Sequence, residues 1–295
     1  IGLGFTVALS GATGAARAQD AVSPDTLLSE SGYPELRVTV TADGVDAPAD
    51  VAAGRYLMSV AALGRGDVNV HLVQLPAGVT EAAAEAALAA SGEEDVPAIV
   101  HEWDFAGGVF VPRGQTGQIV LDLTPGDWFI VGADPGGDAG MPAPEDLMRP
   151  LTVTANDGVL PEAPAVDATV ELREFAFDGL PGGSDAGRQV WQVTNVGEQV
   201  HHVILAYYPD RIAVEQVRAL AALGEEGTPP PDFGIDPERI EFEVGQVHVL
   251  SPGRTVWAEL DLSRPGSYIA LCFMPDPETG MDHVSHGMIG VFTVQ

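Results

Sequence analysis

Short runs that alternate between apolar and polar residues dominate the chain. Arg37–Thr41 and Gln189–Thr194 alternate with a period of two, which is typical of strands with one buried face. The 35 glycines and 23 prolines favour many turns between such strands. Two segments, Thr80–Ala90 and Ala213–Leu223, instead hold good helix formers and end close to a glycine. The pattern predicts an all-β fold with two inserted helices.

The order of these segments repeats along the chain. Ala53–Val60 matches Ala186–Val193, and Val120–Val131 parallels Glu259–Leu271. We therefore predict an internal duplication: two tandem Greek-key β-sandwiches, each with one inserted helix. The proline-rich stretch 156–164 marks the expected boundary. The predicted domains are residues 35–155 and 165–295.

Residues 1–18 have the features of a signal peptide remnant. Ile1–Ser10 is apolar but too short to span a bilayer, and Ala16–Ala18 fits a small-x-small cleavage pattern. We therefore expect an extracytoplasmic protein, whether periplasmic, on the cell surface or secreted. No other apolar run is long enough for a membrane helix, so we expect no membrane span in the mature chain.

The charge balance is strongly acidic. The chain has 43 acidic residues against 13 basic ones, all arginine, and a formal net charge of -30. Such a charge repels phosphate backbones and argues against nucleic-acid binding. It would attract cations or a protein partner with a basic docking surface, and it also keeps a protein soluble.

The segment Cys272–Met288 carries the candidate chemistry. It contains the only cysteine, together with His283 and Met288. Thiolate, imidazole and thioether suit copper, and two histidines with one cysteine and a weak axial methionine form a blue-copper arrangement. His201 offers the missing histidine, so we predict that His201, Cys272, His283 and Met288 bind one copper ion.

Two other histidines compete for these positions. His202 follows His201, and strand alternation places the two on opposite faces, so that one alone can reach the metal. The spacing from Asn195 favours His201. His286 lies two residues from Met288, which makes a cramped chelate, so His202 and His286 are less favoured substitutes.

Further methionines and histidines complete the set of alternatives. Met274 and Met281 could replace Met288 as the axial donor. His71, His101 and His248 have no clustered partners in the sequence and are expected to be structural or exposed.

The first half of the chain lacks the three strong donors. In the repeat, His201, Cys272 and His283 fall on Val68, Gly132 and Ala143. Their joint absence from one copy suggests that the three residues act as a set in the other. The job of the ligand-free first half is open at this point.

These residues resemble the copper-binding end of the cupredoxin family. Pro265–Tyr268, Cys272 and His283–Met288 resemble its C-terminal ligand loop, and Asn195–His201 resembles its upstream ligand loop. The long loop from Cys272 to His283 also resembles the type 1 site of copper nitrite reductases. The resemblance implies cupredoxin-like sandwiches, with one mononuclear type 1 copper in the second.

One departure from those enzymes shapes the functional expectation. Nitrite reductases and multicopper oxidases carry a histidine next to the cysteine that binds a second copper centre, whereas here the neighbours are Leu271 and Phe273. The resemblance therefore implies one-electron transfer to an unknown redox protein, with no catalytic residues, rather than an enzyme. The alternatives are a copper-binding or storage protein and a structural interaction protein without redox turnover.

Overall fold

The computed structural model describes residues 26–64, 66–90, 102–133, 148–223 and 233–295. The predicted leader, His101 and Ala143 lie outside these ranges. The described chain is all-β with two short helices, as the alternating pattern predicted. In chain order its strands and helices are β1 Glu35–Thr41, β2 Gly44–Asp46, β3 Asp50–Ala52, β4 Gly54–Ala62, β5 Val68–Gln74, α1 Glu81–Ala90, β6 Asp104–Val111, β7 Thr116–Leu123, β8 Gly126–Ala133, β9 Met148–Thr154, β10 Ala168–Arg173, β11 Ala176–Asp178, β12 Gly187–Asn195, β13 His201–Tyr208, α2 Val214–Ala221, β14 Glu241–Leu250, β15 Thr255–Leu262, β16 Gly266–Leu271 and β17 Ile289–Val294.

The strands form two sheets that pack face to face. The eight-stranded sheet has the order β11-β10-β12-β15-β7-β4-β1-β2, and the nine-stranded sheet has the order β17-β16-β13-β14-β6-β5-β8-β9-β3. The pairing scheme of the first half recurs in the second. For example, β5 pairs with β6 and β8, and β13 likewise pairs with β14 and β16.

Both sheets run without a break from one half of the chain to the other. Strand β7 pairs with β15 in one sheet, and β6 pairs with β14 in the other. Side chains reinforce this junction: Arg254 forms a two-pronged ion pair with Asp104, and its guanidinium lies 5.0 Å from the ring centre of Trp128. The division at 155–165 stays a prediction, since that stretch forms no regular element.

The main core lies between the sheets, where alternate residues of the strands point inward. Its largest fully buried side chains are Trp128, Trp191 and Tyr268. Helix α1 covers a smaller apolar cluster on the outer face of the nine-stranded sheet, where Ala84 packs near Trp103. Within the described ranges no helix is long and apolar enough to cross a membrane.

Candidate metal centre

Strand pairing closes the base of the segment Cys272–Met288. Strands β16 and β17 are antiparallel neighbours, and their last pair is Leu271 with Ile289. Cys272 directly follows Leu271 in the chain, and Met288 directly precedes Ile289. Both are fully buried members of the main core. The sheet therefore brings the two ends of the loop together, although the residues are 16 positions apart.

Backbone hydrogen bonds give the loop a defined path. The N–H of His283 donates to the carbonyl of Met274 at 2.9 Å, and the N–H of Val284 donates to the carbonyl of Cys272 at 2.8 Å. The N–H of Met288 then donates to the carbonyl of His283 at 2.9 Å. The turn at the tip uses Gly280 at φ 71°, in the left-handed region that favours glycine. The loop thus folds His283 back over Cys272.

Three predicted ligands converge at the start of β13. The Nδ1 atoms of His201 and His283 are 3.0 Å apart, and the Cys272 Sγ lies 3.9 Å and 3.4 Å from them. All three residues are fully buried. A point equidistant from the three atoms lies about 2.0 Å from each, close to typical metal–nitrogen and metal–sulfur bonds of about 2.0–2.1 Å and about 2.3 Å. The pocket among these atoms therefore fits one metal ion.

Gln199 orients the imidazole of His283. Its side-chain oxygen lies 2.8 Å from His283 Nε2, which therefore carries the proton and donates it. That tautomer leaves a lone pair on Nδ1, the atom that faces Cys272. Burial, and the proximity of His201, lower the pKa of His283 to about 4. The ring is neutral at pH 7, which is the state a metal ligand needs.

Asn195 and Glu174 hold the turn that precedes His201. The buried Asn195 side chain donates to the carbonyls of Gln199 and Leu250, both at 2.7 Å, and accepts the N–H of Gly197 at 2.9 Å. Burial tends to raise the pKa of Glu174, but N–H groups of this turn donate to its carboxylate and hold the pKa below the usual value. The carboxylate lies 3.6 Å from His201 Nε2, too far for a hydrogen bond. The spacing from Asn195 indicated His201 as the ligand, but the hydrogen bonds of the Asn195 side chain were not predicted.

The thiol of Cys272 is uncharged without a metal. Burial raises its pKa to about 12, although the N–H groups of His202 and Met274 point toward the sulfur and act in the opposite direction. A coordinated metal removes a thiol proton outright. The same two N–H groups would then donate to the thiolate and stabilise its charge.

The less favoured histidines point elsewhere. His202 Nε2 accepts the N–H of Phe273 at 2.7 Å, on the other face of β13. His286 Nε2 lies 2.9 Å from the Thr279 hydroxyl and 3.2 Å from an Asp276 carboxylate oxygen. Each ring thus has partners away from the three converging donors.

The methionine alternatives differ in burial. Met281 is 49% exposed, whereas Met288 is fully buried in the same core as Cys272. Met274 is partly buried against that core. The axial role of Met288 stays a prediction, as do the ligand roles of the other three residues.

His71 and His248, which have no clustered partners in the sequence, meet in the fold. Their ring centres are 4.9 Å apart on the outer face of the nine-stranded sheet. The two residues are 177 positions apart in the sequence and lie on β5 and β14, which flank β6. Only the long-range strand order brings them together, so no local pattern could indicate the contact.

Comparison with known proteins identifies similar solved structures. No protein-family model and no curated protein matches the sequence. An auracyanin from Roseiflexus castenholzii is 23% identical over 43% of this chain and 94% of its own, with a TM-score of 0.26. A multi-copper oxidase from Pediococcus acidilactici is 11% identical over 91% and 60% of the two chains, with a TM-score of 0.25. A copper-containing nitrite reductase from Thermus scotoductus is 10% identical over 88% and 61%, with a TM-score of 0.23. These TM-scores are too low for the likeness to indicate a function.

Proposed function

We propose that this chain is an exported copper protein that transfers single electrons. Cys272, His201 and His283 would bind one copper ion, and Met288 would be its weak axial ligand. The observation that carries the proposal is the convergence of one sulfur and two imidazole nitrogens, each about 2.0 Å from a common point. Two histidines and a cysteine in this arrangement are the donor set of blue-copper electron-transfer sites.

A bound copper ion would supply a one-electron couple between Cu(I) and Cu(II). The protein's own residues would keep the ligands in place during the change. Gln199 fixes the ring of His283, and the backbone of the loop fixes His283 against Cys272. Because hydrogen bonds and strand pairing hold the donors close together, little rearrangement is expected when the charge of the ion changes. Burial keeps bulk water away from the sulfur, and the N–H groups pointing at it would tune the potential.

The surroundings of the site support contact with a protein partner. Three exposed apolar side chains neighbour the ligands in the sequence: Val196, Phe273 and Met281. Acidic residues of the same segments, including Glu198 and Glu278, add negative charge there. Exposed apolar side chains near the ligands, together with acidic residues of the same segments, favour a redox partner whose docking surface is basic.

The visible absorption spectrum tests the copper site. The protein is loaded with one equivalent of Cu(II) beside the variants Cys272→Ser and His283→Gln, with His286→Gln as a matched control. We expect an intense thiolate charge-transfer band in the wild type and the control, and none in the first two variants. A pale wild-type spectrum that Cys272→Ser leaves unchanged would contradict the proposed site.

A second measurement separates electron transfer from storage. Reversible one-electron voltammetry and fast electron exchange between the Cu(I) and Cu(II) forms are expected for an electron-transfer protein. Tight copper binding with slow exchange would instead support storage, and failure to bind Cu(II) would support a structural role.

A further inference from the structure

The histidine pair of His71 and His248 lies outside the candidate copper centre. His71 is on β5 and pairs with Gly108 of β6, while His248 is on β14, on the other side of β6. The two rings therefore meet across β6. Gly108 makes room for them, because a Cβ at this position would lie 3.0 Å from His71 Nδ1. Strand order and one missing side chain together create the pair.

Each ring of the histidine pair has a buried nitrogen without a hydrogen-bond partner. These atoms are Nδ1 of His71 and Nε2 of His248, and His248 is 7% exposed. A third such atom, Oδ1 of Asn69, lies two residues before His71 and so on the same face of β5. A buried polar atom without a partner destabilises the fold, so such atoms are rare in native structures. Two such nitrogens on neighbouring rings point to a bound ligand.

The spacing of the rings fits one bound ion. An ion about 2.1 Å from a ring nitrogen lies about 3.2 Å from the ring centre, so two imidazoles on a tetrahedral ion have centres about 5 Å apart. The histidine pair has 4.9 Å between ring centres, and the proposed copper ligands His201 and His283 have 4.8 Å.

We propose that His71 and His248 bind a second transition-metal ion, such as Zn(II) or Cu(II), separate from the Cys272 site. Imidazole nitrogen suits ions of this class. Burial lowers the pKa of His71 to about 4 and holds the pKa of His248 well below its usual value, so both rings are neutral and able to donate a lone pair. Since the two residues come from different halves of the chain, the ion would bridge the halves.

Metal stoichiometry tests this proposal. The full chain is first loaded with one equivalent of copper, then exposed to Zn(II), desalted in high salt and analysed for bound metal. We expect about one equivalent of zinc in the wild type and at least 100-fold weaker zinc binding in His71→Phe and His248→Phe. His286→Gln, as a matched control, should keep both metals. Retention of the thiolate band in the phenylalanine variants shows that they fold.

Other outcomes decide against the proposal. The proposal would be overturned if the wild-type protein retained no zinc. It would also be overturned if the phenylalanine variants retained as much zinc as the wild type, because that zinc would then be bound by surface carboxylates. If the phenylalanine variants do not fold, His71→Gln and His248→Gln replace them, since a glutamine amide can occupy a polar site.

The two proposed sites can fail independently. Cys272→Ser should lose the visible band and still retain one zinc ion at the histidine pair. In the copper-loaded wild type, absorption-edge spectroscopy of the bound zinc should show nitrogen and oxygen donors without sulfur. A sulfur donor there would mean that zinc had displaced copper from Cys272, and it would overturn the proposal.

Discussion

Replacing Asn195 with alanine should destabilise the turn that carries the candidate copper ligands. The side chain is fully buried and makes three hydrogen bonds to the backbone of Gly197, Gln199 and Leu250. A hydrogen bond contributes about 0.5–1.5 kcal/mol, and an abandoned buried partner costs about 1–3 kcal/mol. Since the turn can relax partly toward water, we expect the free energy of unfolding to fall by about 2–4 kcal/mol.

Copper affinity should fall in the same variant. Asn195 positions Gln199, whose side chain in turn orients the ring of His283. Loss of such outer contacts weakens metal binding about 10- to 100-fold. The variant Asn195→Asp should be less stable than the alanine variant, because it loses both N–H donors and places a negative charge against two carbonyl oxygens.

The measurement is urea unfolding of the metal-free protein, monitored by tryptophan fluorescence. Each unfolding transition is fitted separately. Asn156→Ala is the matched control, because Asn156 also bonds to the backbone but is exposed. Its cost should stay within about 0.5 kcal/mol. Equal costs for Asn195→Ala and Asn156→Ala, or an unchanged copper affinity in Asn195→Ala, would refute the role assigned to Asn195.

Three further predictions follow from the same geometry. Gln199→Leu removes the acceptor for the N–H at His283 Nε2, so a copper titration should show about 10- to 100-fold weaker binding, and unfolding should show a loss of about 1–3 kcal/mol. Gly108→Ala places a Cβ 2.2 Å from the carbonyl oxygen of Val70 and should destabilise the protein by about 1–3 kcal/mol. At the control position, the Cβ of Gly182→Ala meets no atom within 4 Å, so this variant should be neutral. Chemical unfolding of both variants checks this. Copper at about 100 times its Kd should add about 2.7 kcal/mol to the stability measured by unfolding, and a chelator with a reductant should remove that gain.

The sequence was informative wherever a local pattern decides the structure. Alternation located β1 and β12, and helix formers ending near a glycine located α1 and α2, within a few residues of their ends. The donor types and their order also brought His201, Cys272 and His283 forward as a set, and these three do converge. In each case the physical cause acts between neighbours in the sequence or within one loop.

Features that depend on long-range pairing could not be predicted. The junction of β7 with β15 joins strands more than 130 residues apart, and neither strand's sequence indicates which strand it pairs with. The contact between His71 and His248 depends on the order β14-β6-β5 in the other sheet, which is equally long-range. Gln199 was also missed, because a glutamine in a turn carries no signal until the tautomer of His283 is known.

The sheets that cross the whole molecule have a practical consequence for anyone who divides the chain. Strands β14 and β15 are interior strands here, each covered by a strand of the first half. A fragment restricted to 165–295 would keep the candidate copper ligands but leave two bare strand edges with unpaired N–H and C=O groups. Such edges recruit other chains, so the fragment is expected to self-associate or precipitate on expression. The first half therefore covers strand edges that the second half alone would expose.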